Sequence, residues 1–242
     1  EETSKVEGRI ALQPGSMNPY TNGHLSVSLA GILSADLGGA IVATAGLIPE
    51  KPYALSAKLR YWMTQLAVKD VFSWVRVASV RDDVFQVFRN EDLSLWGNDR
   101  AEQVRMMDMA GFIWLFRSNP NIKWVYLAGS DKVADYPVKN EVDFIKEVLH
   151  DKVHAKVLYF LRDQETRESL YNKIKFTPWV ESLWREGFFQ QSNNYSTPAD
   201  VAANKIKRQI IQGKGAGDLL SPALTDVLVQ YPEIGKLYEL EI

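Results

Sequence analysis

Short apolar runs recur along the chain, separated by stretches whose apolar residues return every third or fourth position. The runs are "RIAL" (9–12), "AIVATAGL" (40–47), "WVRVASV" (74–80), "IKWVYLAG" (122–129), "VHAKVLYFL" (153–161) and "GFFQQS" (187–192). They read as strands. Helical spacing covers His24 to Asp36, Ala54 to Val68, Arg100 to Phe116 and Val138 to Leu149. Strand and helix in alternation predict an α/β fold, a doubly wound parallel sheet of about five or six strands covered on both faces. "WVYLAG", almost wholly apolar, suits a strand buried on both sides.

From residue 193 onward the pattern turns mostly helical. In "STPADVAANKIKRQIIQGKG", Ser196 or Thr197 suits an N-cap, Pro198 the first helical position, and Gly213 or Gly215 the stop. Ala202, Ile206, Ile210 and Ile211 form an apolar stripe, and Lys205, Lys207 and Arg208 a basic side. "SPALTDVLVQY" opens a second helix with Ser-Pro. The expected organisation is one domain over 9–242, with 193–242 a helical C-terminal subdomain and 1–8 a disordered lead-in.

Composition narrows the function classes. The chain has 242 residues, 46% apolar and 24% charged, with a net charge of −2. That balance weighs against broad nucleic-acid binding driven by counterion release, while leaving room for a local basic pocket. With no cysteine, disulfides, thiolate metal sites and thiol nucleophiles are excluded. No apolar run approaches the roughly 20 residues needed to span a bilayer. A cytoplasmic protein without membrane or nucleic-acid partners is the expectation.

The candidate chemistry lies after the first strand, in "GSMNPYTNGHL" (15–25). Open parallel sheets bind ligands beyond the carboxyl ends of their strands. A helix start there offers unpaired N–H groups and the positive end of the helix dipole, which suit a phosphate. His24, one of three histidines, falls in that first turn. Its imidazole can donate to a phosphoryl oxygen as charge grows on it. The spacing fits neither G-x-G-x-x-G nor the P-loop.

These residues resemble the signature of the nucleotidylyltransferase superfamily, G-S/T-F-N-P followed by T/H-x-G-H, and are most similar to the nicotinamide or nicotinate mononucleotide adenylyltransferases. Gly15, Ser16, Asn18, Pro19, Thr21, Gly23, His24 and Leu25 fall in register, and Met17 replaces the usual Phe. The resemblance implies a Rossmann-like fold with a helical C-terminal subdomain. The implied reaction is transfer of the adenylyl group of ATP to the mononucleotide, giving a dinucleotide and pyrophosphate. Mg²⁺ would be held through the ATP phosphates, with no protein ligand for the metal. It assigns nucleotide binding to Gly15, Ser16, Met17, Thr21, Gly23 and His24, and catalysis to His24. Self-association is common in the family.

Other segments extend the resemblance. "PEKPYALSAKLRYWMTQLA" (49–67) is similar to the family's second segment. There a loop Lys, here Lys51, neutralises mononucleotide phosphate charge during catalysis, and an Arg, here Arg60, organises the loop. "WVYLAGSD" (124–131) resembles its strand-plus-G-S/A-D element, in which Gly129 would admit the adenosine and Asp131 would accept hydrogen bonds from the nucleotide. Trp96 falls where the family places an aromatic that stacks on the pyridine ring, and Arg162 matches a strand-end Arg that binds substrate.

The C-terminal motif departs from the pattern. In place of I-S-S-T-x-I/V-R, whose hydroxyls and guanidinium hold the triphosphate, one register sets "AANKIKR" (202–208). Ala202 and Ala203 then replace both serines, Asn204 the threonine and Lys207 the arginine, leaving Asn204 and Lys207 as the nucleotide-binding candidates. A second register uses Ser196–Thr197 as the anion-binding start. Lys offers a mobile point charge in place of a bidentate guanidinium. Three alternatives therefore stand beside adenylyl transfer: a sister transferase with another acceptor or nucleotide, a nucleotide-binding protein with degenerate catalysis, and an assembly subunit without a ligand.

Overall fold

The computed structural model describes residues 8–45, 55–78, 112, 115–138, 142–162, 164–192, 203–212 and 216–238, with the backbone alone at 203 and 204. Its strands are β1 (Gly8–Gly15), β2 (Gly39–Thr44), β3 (Val75–Ala78), β4 (Ile122–Gly129), β5 (Lys156–Phe160) and β6 (Phe189–Gln191). They form one six-stranded sheet in the order β3-β2-β1-β4-β5-β6. The pairings β1·β4, β4·β5 and β5·β6 are parallel, with Ala11 opposite Val125 and Tyr126 opposite Val157. Because β1 meets β4 while β2 continues on its other side, the strand order reverses at β1. That is the doubly wound arrangement expected from the alternating pattern.

Chain contacts divide the described residues into two compact units, one drawn from 1–13, 26–41 and 116–199, the other from 14–25, 42–115 and 200–242. In the first unit, Trp124, Val125, Tyr126, Leu127 and Ala128 of β4 are all buried. This accounts for the unbroken apolar run: a strand flanked by β1 and β5 and covered on both faces has no polar side to display. Helix α3 (Ser130–Val138) follows β4 directly, then α4 (Asp143–Lys152), wound with wider π-type turns. After β5 come α5 (Arg167–Ile174) and α6 (Pro178–Arg185).

The spacing had suggested a single helix over Val138 to Leu149. Val138 instead ends α3, which carries Pro137, and a separate helix begins at Asp143. Only Ser130, Val133 and Tyr136 of α3 are buried, too sparse a pattern to announce a helix. β5 starts at Lys156, three residues later than the apolar run. Val153 N–H bonds back to Val148 O at 3.0 Å and His154 takes a positive φ of 54°, so the preceding helix consumes the start of the run.

The second unit contains the β1–α1 loop, α2 (Ala57–Ala67), β3 and the C-terminal helices α7 (Ala203–Ile211), α8 (Pro222–Gln230) and α9 (Pro232–Lys236). Helix α1 (Asn22–Ser34) begins in this unit and continues in the first. In α2, the Ser56 hydroxyl caps the Leu59 N–H, and Arg60, Met63, Thr64 and Ala67 form its buried stripe. α8 opens with the anticipated Ser-Pro start, Ser221 capping Leu224. α7 begins at Ala203, where the described residues resume.

Candidate active site

The loop between β1 and α1 is shaped by three local features. Gly15 leaves room for the Met17 side chain, since a Cβ there would lie 2.9 Å from Met17 Cε. Met17 is buried with φ at +47°, a left-handed conformation that costs a side-chain-bearing residue about 1–2 kcal/mol. The Asn18–Pro19 peptide is cis. What holds this backbone is Arg60, 2% exposed, whose Nε donates to Leu55 O at 2.7 Å and whose Nη1 donates to Ser16 O. A guanidinium makes this clamp possible because its rigid fork serves two carbonyls at once.

His24 sits at the third position of α1 and closes a capping box with Thr21. The Thr21 hydroxyl accepts the His24 main-chain N–H at 3.3 Å, and the Thr21 main-chain N–H donates to His24 Nδ1 at 3.0 Å. Imidazole thus stands where Glu or Gln usually completes the motif. The Thr21 hydroxyl also lies 2.9 Å from Nδ1, and the Tyr20 ring stacks on the imidazole at 5.4 Å between centroids. A main-chain N–H can only donate, so Nδ1 is an acceptor and the neutral ring carries its proton on Nε2. The outcome is an oriented hydrogen-bond donor at a helix start. One residue earlier in the turn than Gly23, Asn22 ties this start to the C-terminal segment, its Nδ2 donating to Asp218 O at 2.6 Å and Leu220 O at 3.1 Å.

Lys207 corrects the sequence reading. The sequence grouped it with Lys205 and Arg208 on a basic side of its helix. It is 5% exposed, beside buried Ile206, while Lys205 and Arg208 are exposed. Its ammonium lies 5.5 Å from the centre of the buried Tyr238 ring. A cation over an aromatic face is attracted to the ring's negative quadrupole, which draws Lys207 inward. Asn204 lies on α7 with its side chain outside the described residues, and Lys51 and Trp96 also fall outside them.

In the first unit, Gly129 ends β4 and Asp131 opens α3. Asp131 Oδ2 accepts Arg162 Nη2 at 2.7 Å, joining two residues that the sequence had assigned separately to nucleotide and substrate. Both are about half exposed. A Cβ at Gly129 would lie 2.5 Å from Asp131 Oδ1, so the glycine makes room for the chain's own carboxylate. Sequence reasoning assigned no role to Tyr20, Asn22, Glu165 or Tyr238. Asn22 and Tyr238 act through partners far along the chain, whereas Tyr20 and Glu165 touch residues four and three positions away, a local signal that the residue types alone do not mark. Among the described residues no group of three His, Cys, Asp or Glu side chains is placed to hold a metal ion.

This fold has known counterparts. Two Plasmodium falciparum nicotinic acid mononucleotide adenylyltransferase structures, complexed with NaAD and with APC, superpose with TM-scores of 0.58 and 0.56. Each match covers 95% of this chain and 98% of the other, at 13% and 11% identity. The fold of this chain is therefore similar to that of these two adenylyltransferase structures. In sequence, the chain is 23% identical over 220 residues to a probable nicotinate-nucleotide adenylyltransferase of Clostridium acetobutylicum, covering 90% of this chain and 94% of that one. A Synechococcus protein of the same name is 24% identical over 151 residues, 62% of this chain and 65% of its own. No family model matches the chain. Among the described residues no helix is long and apolar enough to cross a membrane.

Proposed function

We propose that this chain transfers the adenylyl group of ATP to nicotinate mononucleotide, forming the dinucleotide and releasing pyrophosphate. The observation that carries the reading is the Thr21–His24 capping box, which fixes a proton on His24 Nε2 at a helix start after β1. In the reaction, a phosphate oxygen of the mononucleotide attacks the α-phosphorus of ATP in line, and the bond to the β-phosphate oxygen breaks. No covalent enzyme intermediate is required, so the protein supplies position and charge stabilisation. His24 Nε2–H donates to a phosphoryl oxygen as negative charge concentrates there. The main chain of Gly15–Met17, fixed by Arg60, and the start of α1 at Thr21 and Gly23 cradle phosphate groups. ATP enters as its Mg²⁺ complex, with the ion on phosphate oxygens.

Lys51 neutralises phosphate charge, Trp96 stacks on the pyridine ring, and Arg162 serves the mononucleotide. Gly129, Asp131 and Asn204 serve the nucleotide. The names of the curated relatives and of the solved structures support this assignment of reaction and acceptor. The test is pyrophosphate release by purified protein with ATP and a panel of acceptors. Turnover fastest with nicotinate mononucleotide supports the reading, and preference for another acceptor replaces it with a sister transferase.

One observation favours a second reading, a nucleotide-binding protein with degenerate catalysis. "AANKIKR" carries no hydroxyl, and its Lys207 is buried beside Tyr238. Calorimetric ATP binding without pyrophosphate release would establish that alternative.

A further inference from the structure

The turn after β5 is built as a clasp around the main chain of Arg162. Glu165 N–H donates to Arg162 O at 3.0 Å, closing the turn. The Glu165 carboxylate then reaches back: Oε2 accepts the Arg162 N–H at 3.4 Å, and Oε1 accepts the Lys173 ammonium of α5 at 2.8 Å. One residue therefore engages both main-chain groups of Arg162 and anchors them to a helix. Gln164, inside the turn, takes φ +69°, a left-handed conformation that persists in a non-glycine residue when its surroundings hold it. Immediately downstream, the reciprocal capping box of Thr166 and Ser169 fixes the start of α5.

Burial follows the same division. The Glu165 side chain is 13% exposed, whereas Lys173 and Arg162 are each at least half exposed. Burial pushes the Glu165 carboxyl upward, but the Lys173 ammonium, the Ser130 hydroxyl and the Arg162 amide together hold it below the usual glutamate value. It is a charged anchor throughout the neutral range. Exposed ion pairs between flexible side chains are weakly ordered, because both partners lose rotamer freedom. A turn that fixes the Arg162 backbone removes part of that cost from the Arg162–Asp131 pair.

We propose that Glu165 is a positioning residue that fixes Arg162, so that its guanidinium, held at one side by the Asp131 carboxylate, is preformed to meet the mononucleotide. The inference rests on the proposed reaction for its ligand, and on the turn geometry alone for the clasp. From this backbone position the Arg162 side chain reaches Asp131 at 2.7 Å, and the Lys173 ammonium pairs with the other oxygen of the Glu165 carboxylate at 2.8 Å.

The experiment compares wild type with E165A, E165Q, R162A and the E165A/R162A double variant. E165A should raise the KM for nicotinate mononucleotide about tenfold with little change in kcat, the signature of lost ground-state positioning. E165Q keeps an acceptor for the Arg162 N–H and should stay within about threefold of wild type. In the R162A background, E165A should add less than about twofold, because the two residues act as one unit. An unchanged KM in E165A, or the same factor in both backgrounds, overturns the proposal. Hydrogen exchange reads the clasp without activity: the Arg162 amide should exchange about tenfold faster in E165A, and an unchanged rate overturns the clasp. If wild type releases no pyrophosphate from ATP and nicotinate mononucleotide, the reaction reading fails. The exchange result then decides the clasp on its own.

Discussion

Replacing Arg60 with methionine tests how the loop after β1 is held. The side chain keeps an unbranched apolar stem while the guanidinium is lost, orphaning Leu55 O and Ser16 O. Hydrogen bonds to a charged donor contribute about 1.5–3 kcal/mol each, or roughly 3–6 kcal/mol for the pair. Keeping a cation out of water at a site only 2% exposed opposes that gain by several kcal/mol. The net loss of stability is therefore about 2–4 kcal/mol, lowering Tm by roughly 5–15 °C for a chain of this size. Activity should suffer more than stability. Without its anchor, the strained Ser16–Met17 main chain shifts, and a displacement of about 1 Å at a reacting centre costs on the order of 100-fold in rate. Thermal denaturation and pyrophosphate release on the same preparation separate the two effects. A folded Arg60→Met protein with kcat/KM within about threefold of wild type would refute the clamp.

Thr21→Val removes the capping hydroxyl but keeps the main-chain N–H that orients the imidazole. It should cost about 1 kcal/mol of stability and less than about tenfold in rate, measured by denaturant unfolding and pyrophosphate release. Tyr159→Phe should hold or raise Tm, because the Tyr159 hydroxyl is buried without a hydrogen-bond partner. Burial, opposed by nearby Arg167, pushes the Tyr159 phenol up to about 12 from its ordinary value of 10.0. Since the folded state holds this proton more tightly, the stability is present below pH 10 and declines as pH rises toward 12. Tyr159→Phe should flatten that alkaline decline, and an identical decline in both proteins would assign it elsewhere.

The alternation of runs made the sheet legible, because strands buried on both faces have few polar positions. β4 is the clearest instance, read in full as "IKWVYLAG". Helices α3, α5 and α6 were harder to see, being eight or nine residues long with few buried positions each. Among the site residues, "GSMNPYTNGHL" was legible because the loop and the helix start are contiguous in sequence. The pairing of Asp131 with Arg162 was not, since 31 residues separate them and only the β4–β5 register brings them together. Lys207 was misread for a related reason. Helical periodicity placed it among basic neighbours, while an aromatic ring 31 positions further along the chain draws it inward.

The central claim is that an imidazole with its proton fixed on Nε2 stabilises the transferring phosphate. The most direct measurement is pyrophosphate release from ATP and nicotinate mononucleotide by His24→Ala beside wild type. Losing an oriented donor to developing charge should lower kcat by about 100- to 1,000-fold. Loss of the capping-box partner should move Tm by only about 2–4 °C. A folded variant that turns over within about threefold of wild type would contradict the account.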